Sequence, residues 1–145
     1  MISIETLVRE GSIHPFQATQ EEIAKVMNIA KRDLVEAEKI QESSLDWSFS
    51  IAYNAVLQAC RAYMFFKGYR PASSEAHKAT FQFMQIAVDE SMKQTIDYFD
   101  RTRKKRHRVI YDEPGLVTEK ETQQLIKKAK EFLLYVESKV PGKSN

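Results

Sequence analysis

Residues 44–71 read SLDWSFSIAYNAVLQACRAYMFFKGYRP, and this stretch decides the fold. Small side chains recur along it at spacings of three and four, which places them on one face of a helix: Ala52, Ala55, Ala59 and Ala62. Small residues let a neighbouring helix approach closely, and aromatic residues surround them here. A helix that is apolar around much of its circumference is buried. We therefore expect a central helix, or one partly buried in an oligomer, that ends at Gly68 and Pro71.

Other segments show the periodicity of amphipathic helices. Residues 19–22, TQEE, and residues 118–121, TEKE, match the capping box that opens a helix. A short helix is predicted within residues 1–10, a helix opened by Ser73 or Ser74 carries His77 in its first turn, and another follows residues 89–91. No segment has a convincing strand pattern. We expect an all-α, up-and-down bundle of four or five helices over residues 19–140, after an N-terminal short helix and loop (1–18) and before a frayed tail (141–145).

Bulk composition narrows the class of protein. A chain of 145 residues with 43% apolar residues suits one domain with its own core. The single cysteine, Cys60, lies in an apolar segment and excludes an internal disulfide and a cysteine-based zinc site. No apolar run approaches the ~20 residues of a membrane span, and no signal peptide is evident. We expect a cytoplasmic protein with no membrane contact, no cofactor and no metal ion.

Residues 101–112 read RTRKKRHRVIYD and hold the densest charge in the chain. Six of the first eight residues, 101–108, are Lys or Arg. The chain outside residues 101–108 carries 16 basic and 20 acidic residues. One basic strip on an acidic body favours a polyanion or an acidic partner. The alternative is a solvated helix end, where cations complement the negative end of the helix dipole. That alternative explains one or two cations more easily than six.

The types of residue in this strip suit chemistry on a phosphate. His107 and Tyr111 are four residues apart, so a continuing helix puts them on one face. A neutral imidazole can take the proton from a ribose 2′-hydroxyl, and arginines can stabilise the phosphorane that forms. Asp112 is placed to orient His107 or Tyr111, or to pair with an arginine. The same residues suit metal-independent RNA cleavage and plain phosphate binding equally well. For His77, packing or a local hydrogen bond is the expected role.

The run from Ala52 to Pro71, with His77 beyond it, resembles the long second helix of the HEPN domains, its Gly-Pro exit and the histidine that often opens the next helix. Arg101 and His107, with five residues between them, are similar to the family's Arg-x(4 to 6)-His signature. The continuation to Asp112 resembles members whose Arg-rich segment ends in Tyr-Asp. The resemblance covers roughly residues 19–140. Thr102 departs from it, because active members commonly carry Asn, Asp or His after the arginine.

The resemblance implies a helical bundle that forms a two-fold homodimer, in which the signature helices meet at a shared cleft. Active HEPN members are metal-independent ribonucleases, often toxins that a minimal nucleotidyltransferase neutralises. The alternative that it implies is a non-catalytic module that binds a nucleotide or a partner, such as a companion of a nucleotidyltransferase. The candidate catalytic residues are Arg101 and His107, which the resemblance implies, and Tyr111, which is expected to share a helix face with His107. The candidate residues for binding RNA or phosphate are Arg103, Lys104, Arg106 and Arg108.

Overall fold

The computed structural model describes residues 2–73 and 76–140. Its helices are α1 (Ile4–Arg9), α2 (Gln20–Ile40), α3 (Leu45–Lys67), α4 (His77–Ala87), α5 (Lys93–Tyr111) and α6 (Glu119–Lys139). A 3₁₀ turn over Glu90–Met92 leads into α5. The expected all-α class is confirmed, and the tail at 141–145 lies outside the described residues.

Helix α3 is the centre of the bundle. It packs against α2, α4, α5 and α6. The four alanines of its small-residue face are completely buried, and so is Cys60. Burial also raises the pKa of the Cys60 thiol, which keeps it protonated. The expected central helix is therefore confirmed, and α3 is exposed only at its two ends, at Trp47 (61% exposed) and at Lys67.

The helix ends follow the local signals in the sequence. Thr19 Oγ1 accepts a hydrogen bond from the backbone N–H of Glu22, whose carboxylate accepts one from the N–H of Thr19. Thr118 and Glu121 repeat this reciprocal pair at the start of α6. Helix α3 ends at Gly68, which has a positive φ of 95° that favours glycine. Both capping boxes and the glycine end are confirmed.

The structure corrects two expectations. Strand β1 (Ile13–Pro15) pairs antiparallel with β2 (Tyr69–Pro71), although no strand was expected. Three residues are too few to show alternation, and their partner lies far away in the sequence. The cap of α4 is Ala76, without a side-chain hydrogen bond, and not Ser73. Ser74 lies outside the described residues.

The N-terminal segment packs onto the same core as the bundle. Leu7 of α1 and Ile13 of β1 are both almost completely buried in it. Phe16 contacts the ring of Phe65 on α3, with the ring centroids 4.9 Å apart. Among the helices described, none has both the length and the apolar character needed to cross a lipid bilayer.

Candidate functional site

The basic stretch, residues 101–108 with all six cations, lies within α5, which continues to Tyr111. The loop after α5 returns to the start of α3, where the N–H of Gly115 donates to Asp46 Oδ2 at 2.8 Å. Farther back along α5, the guanidinium of Arg106 lies 5.5 Å from the ring centroid of Tyr53 on α3. The C-terminal half of α5 therefore runs antiparallel to the N-terminal half of α3.

One face of the basic stretch points into the protein. Thr102 is 6% exposed, and its hydroxyl donates to the carbonyl of Tyr98 at 2.8 Å. Val109 is also buried, and Arg106 lies between these two positions on the helix. The Arg106 Nε atom is buried without a hydrogen-bond partner in the described part of the chain. The stretch is thus an amphipathic helix whose inner face includes a cation.

Carboxylates offset three of the six cations. Arg103 pairs with Asp100 (Nε to Oδ1, 2.9 Å), and Lys105 pairs with Glu121 (Nζ to Oε2, 3.3 Å). Arg108 pairs with Glu113 at 3.4 Å. Arg101 and Lys104 are exposed, and over residues 2–73 and 76–140 neither has a carboxylate at salt-bridge distance. Fewer cations are therefore free to attract an anion than the sequence alone indicates.

His107 and Tyr111 form a contacting pair on the outside of α5. Their ring centroids are 4.8 Å apart with the planes inclined at 44°, and both side chains are exposed. The prediction that these two residues lie on one face of a continuous helix is thus confirmed. The N–H of Asp112 bonds to the carbonyl of Arg108, and its carboxylate makes no side-chain hydrogen bond within the described residues. Asp112 therefore does not orient His107 or Tyr111 here.

Arg101 and His107 lie on the same helix but not on the same face. Six residues correspond to a rotation of about 600°, so the two side chains leave the helix about 120° apart. Both are exposed. One copy of the chain therefore presents the two signature residues on adjoining sides of α5 and does not bring them together.

Tyr53 on α3 contacts both α4 and α5, and neither of these partners was predicted from the sequence. Tyr53 is completely buried, and its hydroxyl lies 3.3 Å from Nδ1 of His77 on α4. Burial raises the pKa of Tyr53, so this hydroxyl stays protonated. The i, i+3 spacing of Asp100 and Arg103 was a usable signal for one ion pair. The approach of Arg106 to Tyr53 had no comparable local signal.

A family model described as the HEPN domain matches residues 23–139. The match runs from the first turn of α2 to the last residue of α6 and includes the whole basic stretch. No curated protein matches the chain. This is the same family that the sequences of α3 and α5 resemble, and the observed all-α fold agrees with it. The chain belongs to the HEPN domain family.

Proposed function

We propose that this chain acts as a homodimer that binds RNA along the outer face of α5 and cleaves it without a metal ion, as a toxin-like ribonuclease. Membership of the HEPN family supports a nuclease or a nucleotide-binding module. One observation carries the ribonuclease proposal. The exposed His107–Tyr111 pair lies on the helix that also presents to solvent Arg101 and Lys104, two cations that have no carboxylate partner among the described residues.

The proposed chemistry is transesterification at a single phosphate. The His107 imidazole takes the proton from a ribose 2′-hydroxyl, whose oxygen then bonds to the adjacent phosphorus. The bond to the 5′-oxygen breaks, and that oxygen leaves as a hydroxyl after it takes a proton from the His107 imidazolium or from water. Arg101 stabilises the charge on the equatorial oxygens of the phosphorane. The products are a 2′,3′-cyclic phosphate and a 5′-hydroxyl end.

The side chains of Arg101 and His107 leave α5 in directions about 120° apart. For this reason we propose that the site needs two copies of the chain. If the two α5 helices meet about a two-fold axis, His107 can face Arg101 of the partner subunit. Exposed aromatic side chains lie where the end of α5 meets the start of α3, which supports such a contact. Trp47 is 61% and Tyr111 is 67% exposed.

The decisive experiment uses single-stranded RNA in EDTA with the purified full chain. His107→Ala should lower the cleavage rate about 100-fold or more, because it removes the general base. His14→Ala is the matched control, since His14 lies in β1, and we expect it to cleave at the wild-type rate. Unchanged cleavage in His107→Ala, or products without cyclic phosphate ends, would overturn the proposal.

Mixing variants tests whether the site is shared. Arg101→Ala and His107→Ala should each be inactive as pure proteins. Coexpression produces mixed dimers in which one site keeps both residues, so about a quarter of the wild-type activity should return. A mixture as inactive as its parents would show that the two residues do not combine across subunits.

A second candidate function is a non-catalytic module that binds a nucleotide or a nucleotidyltransferase. Thr102 favours it, because its hydroxyl is buried and bonded to the Tyr98 carbonyl and is not presented to solvent. Active HEPN members commonly have a more polar residue at that position. Calorimetry with nucleotides, and pull-down with a nucleotidyltransferase encoded next door, would test this function. This function is supported if the wild type binds a nucleotide or the nucleotidyltransferase and does not cleave RNA.

A further inference from the structure

A pocket of about 330 Å³ lies between α3, β2 and the first turn of α4, away from the exposed face of α5. Pockets for small ligands start at about this size. Two guanidinium groups line it, those of Arg61 on α3 and Arg70 on β2. No residue of α5, which carries the proposed RNA-binding face, lines this pocket.

Within the described part of the chain, neither arginine has an acidic partner. Among residues 2–73 and 76–140, no Asp or Glu lines the pocket, and neither arginine forms a salt bridge. Arg61 Nη1 donates to Gln58 Oε1 at 2.7 Å, and Arg70 Nη1 donates to the carbonyl of Pro71 at 3.1 Å. Both acceptors are neutral. Since a guanidinium has five N–H donors, most of this capacity remains for a ligand.

Arg61 is held in place and partly removed from water. Its guanidinium lies 5.4 Å from the ring centroid of Phe65 on the same helix. Burial lowers the pKa of Arg61, because desolvation disfavours its charge. A second cation in the same pocket adds repulsion, which a bound anion would offset. A side chain held in this way loses little freedom when it binds a ligand.

The rest of the lining selects the kind of anion. Leu57, Phe65 and Pro71 form an apolar wall, which suits a compact organic group. Two guanidinium groups match a dianion better than a single negative charge, and a phosphate monoester carries about −1.5 to −2 at pH 7. We infer that this pocket binds a terminal phosphate monoester, with Arg61 and Arg70 on the phosphate and the organic group against Leu57 and Pro71.

Calorimetry on the full chain, with inorganic phosphate and phenyl phosphate as probes, tests the inference. Phenyl phosphate should bind more tightly than inorganic phosphate, because it also fills the apolar wall. Arg61→Gln and Arg70→Gln should each weaken its binding about tenfold or more, since each removes charge-assisted hydrogen bonds. Lys78→Gln is the control, because Lys78 is exposed on α4 and does not line the pocket. It should bind like the wild type.

Two further measurements identify the ligand and guard against misfolding. Amide shifts of the wild type with phenyl phosphate should cluster at residues 57–61, 70–73 and 77–80, which needs no variant. An Arg70-dependent preference for 5′-phosphorylated over 5′-hydroxyl RNA, without phenyl phosphate binding, would make the end of a strand the ligand. The inference is overturned if neither probe depends on Arg61 or Arg70, or if the shifts centre on residues 101–111.

Discussion

At the scale of single residues, Arg106 is the cation of the basic stretch that lies against the core. Its guanidinium lies against the Tyr53 ring, while its Nε–H is buried without an acceptor among the described residues. A cation over a ring contributes about 0.5–1 kcal/mol at an exposed site and about 2 kcal/mol where it is desolvated, as Arg106 partly is. A buried donor without a partner costs about 1–3 kcal/mol. These two contributions are similar in size and opposite in sign, so we expect Arg106 to add little net stability.

We therefore expect Arg106→Met to leave the free energy of unfolding unchanged or to raise it by about 1 kcal/mol. Methionine is unbranched and reaches about as far as the Nε position, so it keeps the packing of the side-chain stem and removes both the guanidinium and the unpaired N–H. Urea denaturation followed by circular dichroism measures the change. RNA binding should weaken in the same variant, because a cation is lost from α5.

Tyr53→Phe is the companion variant to Arg106→Met. It keeps the ring beneath Arg106 and removes only the hydroxyl near His77, so it should cost about 1 kcal/mol. A loss of more than about 2 kcal/mol in Arg106→Met would show that the guanidinium stabilises α5 on α3, contrary to this argument.

At the scale of elements, the start of α6 is coupled to the basic stretch of α5. Glu121 completes the capping box with Thr118 and also pairs with Lys105. These contacts, the backbone N–H of Thr118 first, hold the pKa of Glu121 below its ordinary value of 4.5. The unfolded state therefore binds a proton more tightly at this position than the folded state does.

This shift gives a pH dependence of stability with a definite sign. The Glu121 carboxylate contributes stability above pH 4.5, and the contribution is lost as the pH falls through the lowered pKa. Glu121→Gln should cost about 0.5 kcal/mol at pH 7, because the carboxylate is partly exposed and screened. The difference from the wild type should shrink in acid. Thermal unfolding between pH 3 and pH 7 measures it, and equal profiles for the two proteins would contradict the assignment.

Elements that depend on neighbours in the sequence were predictable. Thr19 and Thr118 cap their helices through residues three positions away, and the alanines of α3 share a face by helical geometry alone. Pairing between β1 and β2 was not predictable, because residues 13–15 meet residues 69–71 only in the folded chain. For the same reason, the sequence could indicate a basic helix but not which cation points inward toward Tyr53.

At the scale of the whole molecule, the exposed apolar side chains are unevenly placed. The bond between Gly115 and Asp46 brings the end of α5 to the start of α3, so Trp47 and Tyr111 lie at the same end of the bundle. Ile110, the residue before Tyr111, is 38% exposed. Large exposed aromatic groups near a functional strip are typical of an interface. This end is therefore the part of the surface that the proposed homodimer should bury.

The dimer prediction can be tested with a matched control. Trp47→Ser and Tyr111→Ser should each raise the dimer dissociation constant about thirtyfold, because losing a buried aromatic contact costs about 2 kcal/mol. Leu134 on α6 is as exposed as Tyr111, at 67%, but lies on a different helix, so Leu134→Ser should leave dimerisation unchanged. Sedimentation or light scattering at tens of micromolar measures the mass. A monomeric wild type excludes the dimer, and a dimer weakened only by Leu134→Ser moves the interface to α6. Either result would also remove the reason for proposing that Arg101 and His107 combine across subunits.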